Sequence, residues 1–282
     1  MTETLSLDRL AGRVADGATL ALPPDYSFVP MAAVRALARR GVRGLHLVTV
    51  PQAGIAADLL IGAGCVATVE TAAVSLGELG NAPRFCAAVE GGTVEIRDST
   101  CPAIHAALQA AEKGVPFMPL RGLIGSDLLR VRPDWQVIDN PLADGGGDPI
   151  VLLPALRPDV ALFHAPYADE HGNVWLGARR ELVTMAHASR ETLVTVEEVR
   201  PGDLLADATL AAGTLPALYV TALAKAPQGA WPLGLAGRYE TDWESLTEYA
   251  RLAASEEGFE EYCAENLIAN EADVMKGLRA AE

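Results

Sequence analysis

The chain has 282 residues, half of them hydrophobic, with 37 acidic against 22 basic side chains and a net charge of −15. That size and apolar content fit one large α/β domain or two smaller lobes around a sizeable core, and the acidic balance argues against nucleic acid or an anionic membrane as a general partner. The N-terminal MTETLSLDRL lacks a basic stretch followed by an apolar one, no apolar run reaches membrane-spanning length, and Cys65, Cys86, Cys101 and Cys263 show neither CxxC pairing nor zinc spacing, so a cytoplasmic protein without a resident metal is expected.

In chain order, residues 6–14 read as a short amphipathic helix closed by Asp16-Gly17, and 18–22 as a first buried strand. Pro23-Pro24-Asp25-Tyr26-Ser27 breaks that strand, and residues 29–40 form a helix ended by Gly41. A strand at 45–50 and a helix at 55–61 lead into DLLIGAGCVATVETAAVSLGELG (58–80), where no charge interrupts the run between Asp58 and Glu70. Such a run suits a strand at 66–71 buried on both faces of a parallel sheet, with the turn around Ser75 at its carboxyl end. In open α/β sheets ligands sit at that end. A helix at 82–90 stops at Gly91-Gly92, a strand follows at 94–97, and a helix at 102–113 has Pro102 at its first position and Gly114 at its end. A strand at 115–120 runs into Arg121-Gly122-Leu123. This alternation predicts an α/β fold, a mostly parallel sheet flanked by helices.

The stretch LADGGGDP (142–149) lacks the Lys-Ser/Thr of a P-loop and the spacing of a dinucleotide fingerprint, so it reads as a connecting loop. Further strands are expected at 151–153, 160–164, 193–196 and 219–223. After Pro232 the composition turns polar and acidic, with helices at 243–254, 259–268 and 272–278. The whole of 1–282 is therefore taken as one domain, with 241–282 as a C-terminal helical cap or a partner-contacting arm.

Several residues are candidates for chemistry. With Pro102 first in its helix, Cys101 is the expected N-cap and His105 lies about one turn on. A thiol at a helix N-terminus has a lowered pKa, and a nearby histidine can serve as its base. The alternative is a small cap residue and a half-buried histidine. Arg121, directly after a strand, is placed to hold a carboxylate bidentately, or else to pair with Asp127 or contact another subunit. Ser75 is a hydrogen-bond donor in the turn after the opening strand, or plain turn chemistry. His164, Asp169 and His171 lie within eight residues, but Pro166 and Gly172 argue for an irregular loop without a common face for a metal.

The segments DLLIGAGCV…VET, PRFCAAVEGGTVEI, AALQAAEKGVPFMPLRGLIGSDLL, ADEHGNV and LYVTALAKAPQG together resemble the A (alpha) subunit of heteromeric family I coenzyme A transferases, of the glutaconate CoA-transferase-like branch. The likeness covers most of residues 30–249, and it is the order and spacing of the motifs that is specific. The resemblance implies an enzyme that moves CoA between an acyl-CoA thioester and a small carboxylic acid, in an α2β2 assembly with a B (beta) subunit. It implies no permanently bound cofactor, the CoA thioester being substrate, and a nucleophilic glutamate supplied by the B subunit. Under it, Tyr26, Ser75, Arg121 and Ser126 are expected to line the site. Glu70, Glu78, Glu90 and Glu95 are the carboxylates expected nearest the crevice, and Asp169-x-x-Gly172-Asn173 becomes a structural turn. Two departures stand out. Related enzymes place a glycine-rich loop where this chain has Pro23-Pro24-Asp25-Tyr26, and proline lacks the N–H that a backbone oxyanion hole needs. A related branch of ring-cleaving CoA-thioester hydrolases uses a glutamate at about the position of Cys101. The rival readings are a hydrolase and a non-catalytic subunit that binds ligand or acts as a scaffold.

Overall fold

A strand buried on both faces needs a crossover helix to return the chain, and the first third of the sequence supplies one after each apolar run. The structure, a computed structural model, describes residues 2–268; the helix expected at 272–278 lies outside them. Strand β1 (Glu3–Leu5) and helix α1 (Leu7–Ala11) precede β2 (Thr19–Leu22), α2 (Met31–Arg40), β3 (Leu45–Thr49), α3 (Ile55–Gly62), β4 (Val66–Thr71), α4 (Pro83–Glu90), β5 (Glu95–Asp98) and α5 (Cys101–Lys113). There follow β6 (Phe117–Leu120), α6 (Leu128–Val131), β7 (Gln136–Asp139), β8 (Pro149–Pro154), β9 (Val160–Asp169), β10 (Val174–Trp175) and α7 (Arg180–Ala188). The last elements are β11 (Glu191–Arg200), β12 (Thr214–Leu215), β13 (Ala222–Lys225), α8 (Trp243–Leu252) and α9 (Glu256–Cys263).

The main sheet has ten strands, in the order β1-β13-β11-β9-β2-β3-β4-β5, with β10 and β12 added antiparallel beside β9. Every pairing along that order is parallel. Successive strand residues feed opposite cores, as a period of two requires. Leu20, Leu22, Leu45, Leu47 and Leu162 join a core with helices α1–α4, α8 and α9. Ala21, Val48, Phe163 and Val194 join another with α5 and α7. Helices α8 and α9 thus share the core of the N-terminal helices through Leu246, Tyr249, Phe259 and Tyr262. The Tyr249 hydroxyl donates to buried Asp58 at 2.7 Å. Among the described residues, no helix is long and apolar enough to cross a membrane.

Three expectations need correction. The apolar runs at 115–120 and 151–153 do form strands, but β6 and β8 belong to a separate three-stranded antiparallel sheet, β6-β8-β7. The physical reason is the connection at 142–149. Gly145, Gly146 and Gly147 all take positive φ, so the chain reverses there without a crossover helix, and antiparallel pairing results. Val151 and Leu153 face Ala103, Ala106 and Trp135, while β7 is exposed throughout. Second, His164 and Pro166 do not sit in an irregular loop: β9 runs to Asp169 and is buried over all ten residues. Beyond Ala161, β2 no longer pairs with it, so the missing proline N–H breaks no ladder bond there. Third, Thr100 and not Cys101 is the N-cap of α5, its hydroxyl accepting from Ala103 N at 3.3 Å. Cys101 is the first helical residue. Helix α7 was not expected, although Leu182, Met185 and Ala186 carry the i, i+3, i+4 spacing.

Candidate active site

The loops at the carboxyl ends of β2, β3 and β4 converge, and a carboxylate ties two of them. Asp25 accepts hydrogen bonds from Gly54 N and Ile55 N, both at 3.1 Å, and so caps α3 from the loop after β2. Asp25 is half-buried, and that burial raises its pKa to about 6 against the opposing pull of those two N–H groups. Position 54 requires glycine, since a Cβ there would lie 2.0 Å from Asp25 Oδ2 and 2.7 Å from Ser75 O. The loop after β4 is drawn in by Ser75 N donating to Ala53 O at 3.0 Å and by the Thr49–Thr71 hydroxyl contact of 2.6 Å. Between these loops and α8 opens a cavity of 320 Å³ whose lining includes Tyr26, Ser75, Leu76, Leu79, Leu233 and Leu246. Tyr26 and Ser75, expected at the site from sequence, are thus brought together. The two N–H groups at the start of α3 are taken up by Asp25, which leaves them unavailable to a substrate oxyanion.

A second group of side chains adjoins Tyr26. Ser27, fully buried, donates to Glu181 at 2.5 Å from the first turn of α7. Burial, then the charges of Glu181 and Cys101, push the Tyr26 phenol above its ordinary pKa, so it is a proton donor at neutral pH. His105 is pushed down by burial, against the charge of Glu181. Cys101 is exposed at the N-terminus of α5. Among the described residues no hydrogen bond joins it to His105.

Beneath the loop after β2 lies a buried polar network. His164 is fully buried, its ring nitrogens 2.8 Å from Thr195 Oγ1 and 2.8 Å from Glu197 Oε1. Glu197 also accepts from Tyr239 OH at 2.8 Å, Gln228 N at 2.7 Å and Gly229 N at 3.1 Å. Burial works against its charge, but His164, Tyr239 and Gln228 together hold it below its ordinary pKa. Gly229 fits closely, for a Cβ would come within 2.5 Å of the His164 ring. The segment after β2 is tied to β9 by His164 N donating to Phe28 O at 2.7 Å and to the Gln228-Gly229 turn by Ala32 N donating to Gly229 O at 2.9 Å. The two non-glycine residues with positive φ among the described ones, Phe28 at 39° and Gln228 at 53°, are both found here.

The remaining candidates lie elsewhere. Arg121 forms a two-bond pair with Asp148 on the small sheet, at 2.9 and 2.5 Å, in place of the expected Asp127. Asp127 pairs with Arg130. Ser126 donates to Leu123 O at 2.8 Å. Neither Arg121 nor Ser126 lines the cavity. Glu70 is buried between Arg132 at 2.8 Å and His46 at 3.3 Å. Burial raises its pKa, but His46 and Arg132 outweigh that and leave it below the ordinary value. Glu78 lines the cavity, and Glu90 and Glu95 are exposed. Asp169 accepts from His171 N, Asn173 N and Leu204 N, which makes residues 169–173 a structural turn. Among the described residues no cluster of three metal-ligating side chains forms. Sequence reading missed Glu181, Glu197 and Tyr239 as parts of this region, and the cavity wall given by Leu233 and Leu246. The apolar periodicity of α7 would have located Glu181; nothing local marks the others.

Comparison with known proteins identifies relatives of the whole assembly of elements. The family model for coenzyme A transferase matches residues 4–222. The sequence is 34% identical over 267 residues to the A chain of the 3-oxoadipate CoA-transferase of Pseudomonas knackmussii, across 92% of this chain and 91% of that one. It is 32% identical over 252 residues to the IpdA subunit of the cholesterol ring-cleaving hydrolase of Mycobacterium tuberculosis, across 86% and 85% of the two. The crystal structure of glutaconate coenzyme A-transferase from Acidaminococcus fermentans superposes with a TM-score of 0.87 at 27% identity, over 96% of this chain and 90% of that one.

Proposed function

Because the chain belongs to the coenzyme A transferase family, we propose that the cavity between Tyr26 and Ser75 is where it receives an acyl-CoA. The protein is the A subunit of a heteromeric family I enzyme, which transfers CoA between an acyl-CoA thioester and a carboxylic acid. In our reading a glutamate of the B partner attacks the thioester carbonyl, releasing CoA thiolate and forming an acyl-glutamyl anhydride. The thiolate then attacks the glutamyl carbonyl, the first acid leaves, and the acceptor acid reverses both steps. No water is consumed, so exclusion of water and positioning are the tasks left to this chain.

One observation carries this division of labour. Three carboxylates at the carboxyl edge of the sheet, Glu70 buried and Asp25 and Glu197 half-buried, are already engaged: Asp25 by two backbone donors, Glu197 by His164, Tyr239 and two backbone donors, Glu70 by Arg132 and His46. A nucleophile must be free to turn onto the carbonyl, and each of these three is held in place by two or more donors of the fold. Tyr26 and Ser75 carry hydroxyls at the cavity and suit hydrogen bonding to the thioester oxygen as charge develops on it. Arg121 and Ser126 serve the small sheet in this reading. We take residues 1–282 as one domain, supported by the packing of α8 and α9 on the core of α1–α4, and the assembly as α2β2.

The test is to incubate the chain, alone and co-expressed with its B partner, with a panel of acyl-CoAs, with and without acetate or succinate. Mass spectrometry follows the CoA products. Acid-dependent exchange only in the presence of the partner is expected. Free CoA or ring-opened thioester, formed without added acid, would instead support the hydrolase reading that the 32% identity to a ring-cleaving relative keeps open; Cys101 stands where that chemistry wants a carboxylate. Turnover by the lone chain would overturn the division between two chains and make Cys101 the next residue to replace. Light scattering on the complex checks the α2β2 stoichiometry.

A further inference from the structure

The cavity beside Tyr26 and Ser75 has a lining that speaks to which acyl group it takes. Its walls are mainly apolar: Leu76 from the turn after β4, Leu79 beside it, Leu233, and Leu246 and Trp243 from α8, with Gln52 and Thr241 as neutral polar residues among them. Two acids also face it, Asp25 at one end and Glu78 on the exposed turn. Among the described residues that line it there is no lysine, arginine or histidine. Both oxygens of Asp25 are committed to Gly54 and Ile55, so it offers an incoming group no donor. The volume of 320 Å³ lies at the small end of the roughly 300–1,000 Å³ of ligand cavities.

We propose that this cavity is a specificity pocket for a short, uncharged, apolar acyl chain, and that it discriminates against acyl groups ending in a second carboxylate. The inference rests on the transferase reading for the placement of the thioester carbonyl near Tyr26 and Ser75. A terminal carboxylate reaching past them would leave water for five apolar side chains and meet the like charges of Asp25 and Glu78, with no cation to compensate. A terminal methyl group gains from the same surroundings. The substrates in the names of the two transferase relatives, 3-oxoadipate and glutaconate, are both dicarboxylic acids, so this pocket assigns the present chain a different class.

Pentanoyl-CoA and glutaryl-CoA have the same chain length and differ only in a terminal methyl against a carboxylate. Their dissociation constants are measured by calorimetry on the complex with the B partner, which gives an answer whether or not turnover depends on an acid. Binding of pentanoyl-CoA at least tenfold tighter is expected, and equal or tighter binding of glutaryl-CoA overturns the proposal. Decanoyl-CoA is expected to bind no tighter than pentanoyl-CoA; continued tightening with length would defeat the size limit. Glu78 is exposed, so Glu78→Arg spares the fold, and it is expected to narrow the ratio by improving glutaryl-CoA. An unchanged ratio in that variant overturns the placement of the acyl terminus beside Glu78. Loss of acid-dependent exchange with these affinities intact would instead strike at the transferase reading and leave the pocket assignment standing.

Discussion

The carboxyl edge of the parallel sheet and the small antiparallel sheet are built from similar apolar runs yet are secured in opposite ways. At the parallel edge two carboxylates accept from backbone of other segments: Asp25, after β2, from Gly54 and Ile55 after β3, and Glu197, in β11, from Gln228 and Gly229 after β13. The small sheet has one small core and one buried cation. Arg132 donates to Glu70 and to Asp98 O on the main sheet, grips Asp134, and stacks its guanidinium 4.3 Å from the Trp135 ring centre. Hydrophobic runs make strands in both places; what distinguishes a working edge from a plain structural one is the set of polar links between loops.

The comparison can be broken most forcefully at Arg132. Replacing it by Met leaves Glu70 buried without its guanidinium, and a loss of about 3–5 kcal/mol in urea unfolding is expected. A loss well under that would mean that the core of Val151, Leu153 and Trp135 holds the small sheet unaided. The parallel edge is tested next through pH. Asp25 binds its proton more tightly in the folded chain than in the unfolded one, so its contribution is most favourable below the ordinary carboxylate pKa and is lost as pH rises towards about 6. The stability of wild type relative to Asp25→Asn is therefore expected to decline between about pH 4 and 6 by on the order of 3 kcal/mol. A flat difference would show that the carboxylate is solvated after all.

Gly54→Ala acts on the same edge by sterics, pressing a Cβ onto Asp25 and Ser75 O. A cost of about 1–3 kcal/mol is expected, together with a raised KM for acyl-CoA, because the cavity lining is displaced. Stability loss without the KM change would separate the cap from the pocket. The smallest effect is expected at Arg121→Ala, whose partner Asp148 is held down to about 2 by the pair. Exposed ion pairs contribute little, so the unfolding midpoint should be unmoved. A rise in KM for the acceptor acid would restore Arg121 to the carboxylate-binding role that its position after a strand suggests.

Much of the parallel half is legible in the sequence because local pattern and global role agree there. The run at 66–71 is rich in β-branched residues and follows Gly62 and Gly64, and it forms a strand over those six residues. Tyr26 and Ser75 each lie four residues beyond a strand end, and reading the carboxyl ends of the strands suffices to place both at the cavity. The run at 115–120 looks alike locally, but its sheet is decided by the glycine reversal some 25 residues later. Pro166 reads as a breaker because nothing in the sequence reveals that β2 has already parted from β9. The pairing of Glu197 with His164 and Tyr239 joins three distant segments and has no periodicity to betray it.

Strand β1 pairs with β13, joining Glu3 to Ala222, and Leu246 completes the pocket wall. On the ribosome, β1 must therefore wait for some two hundred further residues before its edge is covered, and the pocket cannot exist until α8 has emerged. A nascent chain interrupted before α8 lacks the wall that Trp243 and Leu246 give the cavity, so a formed cavity doubles as a certificate that translation has passed α8.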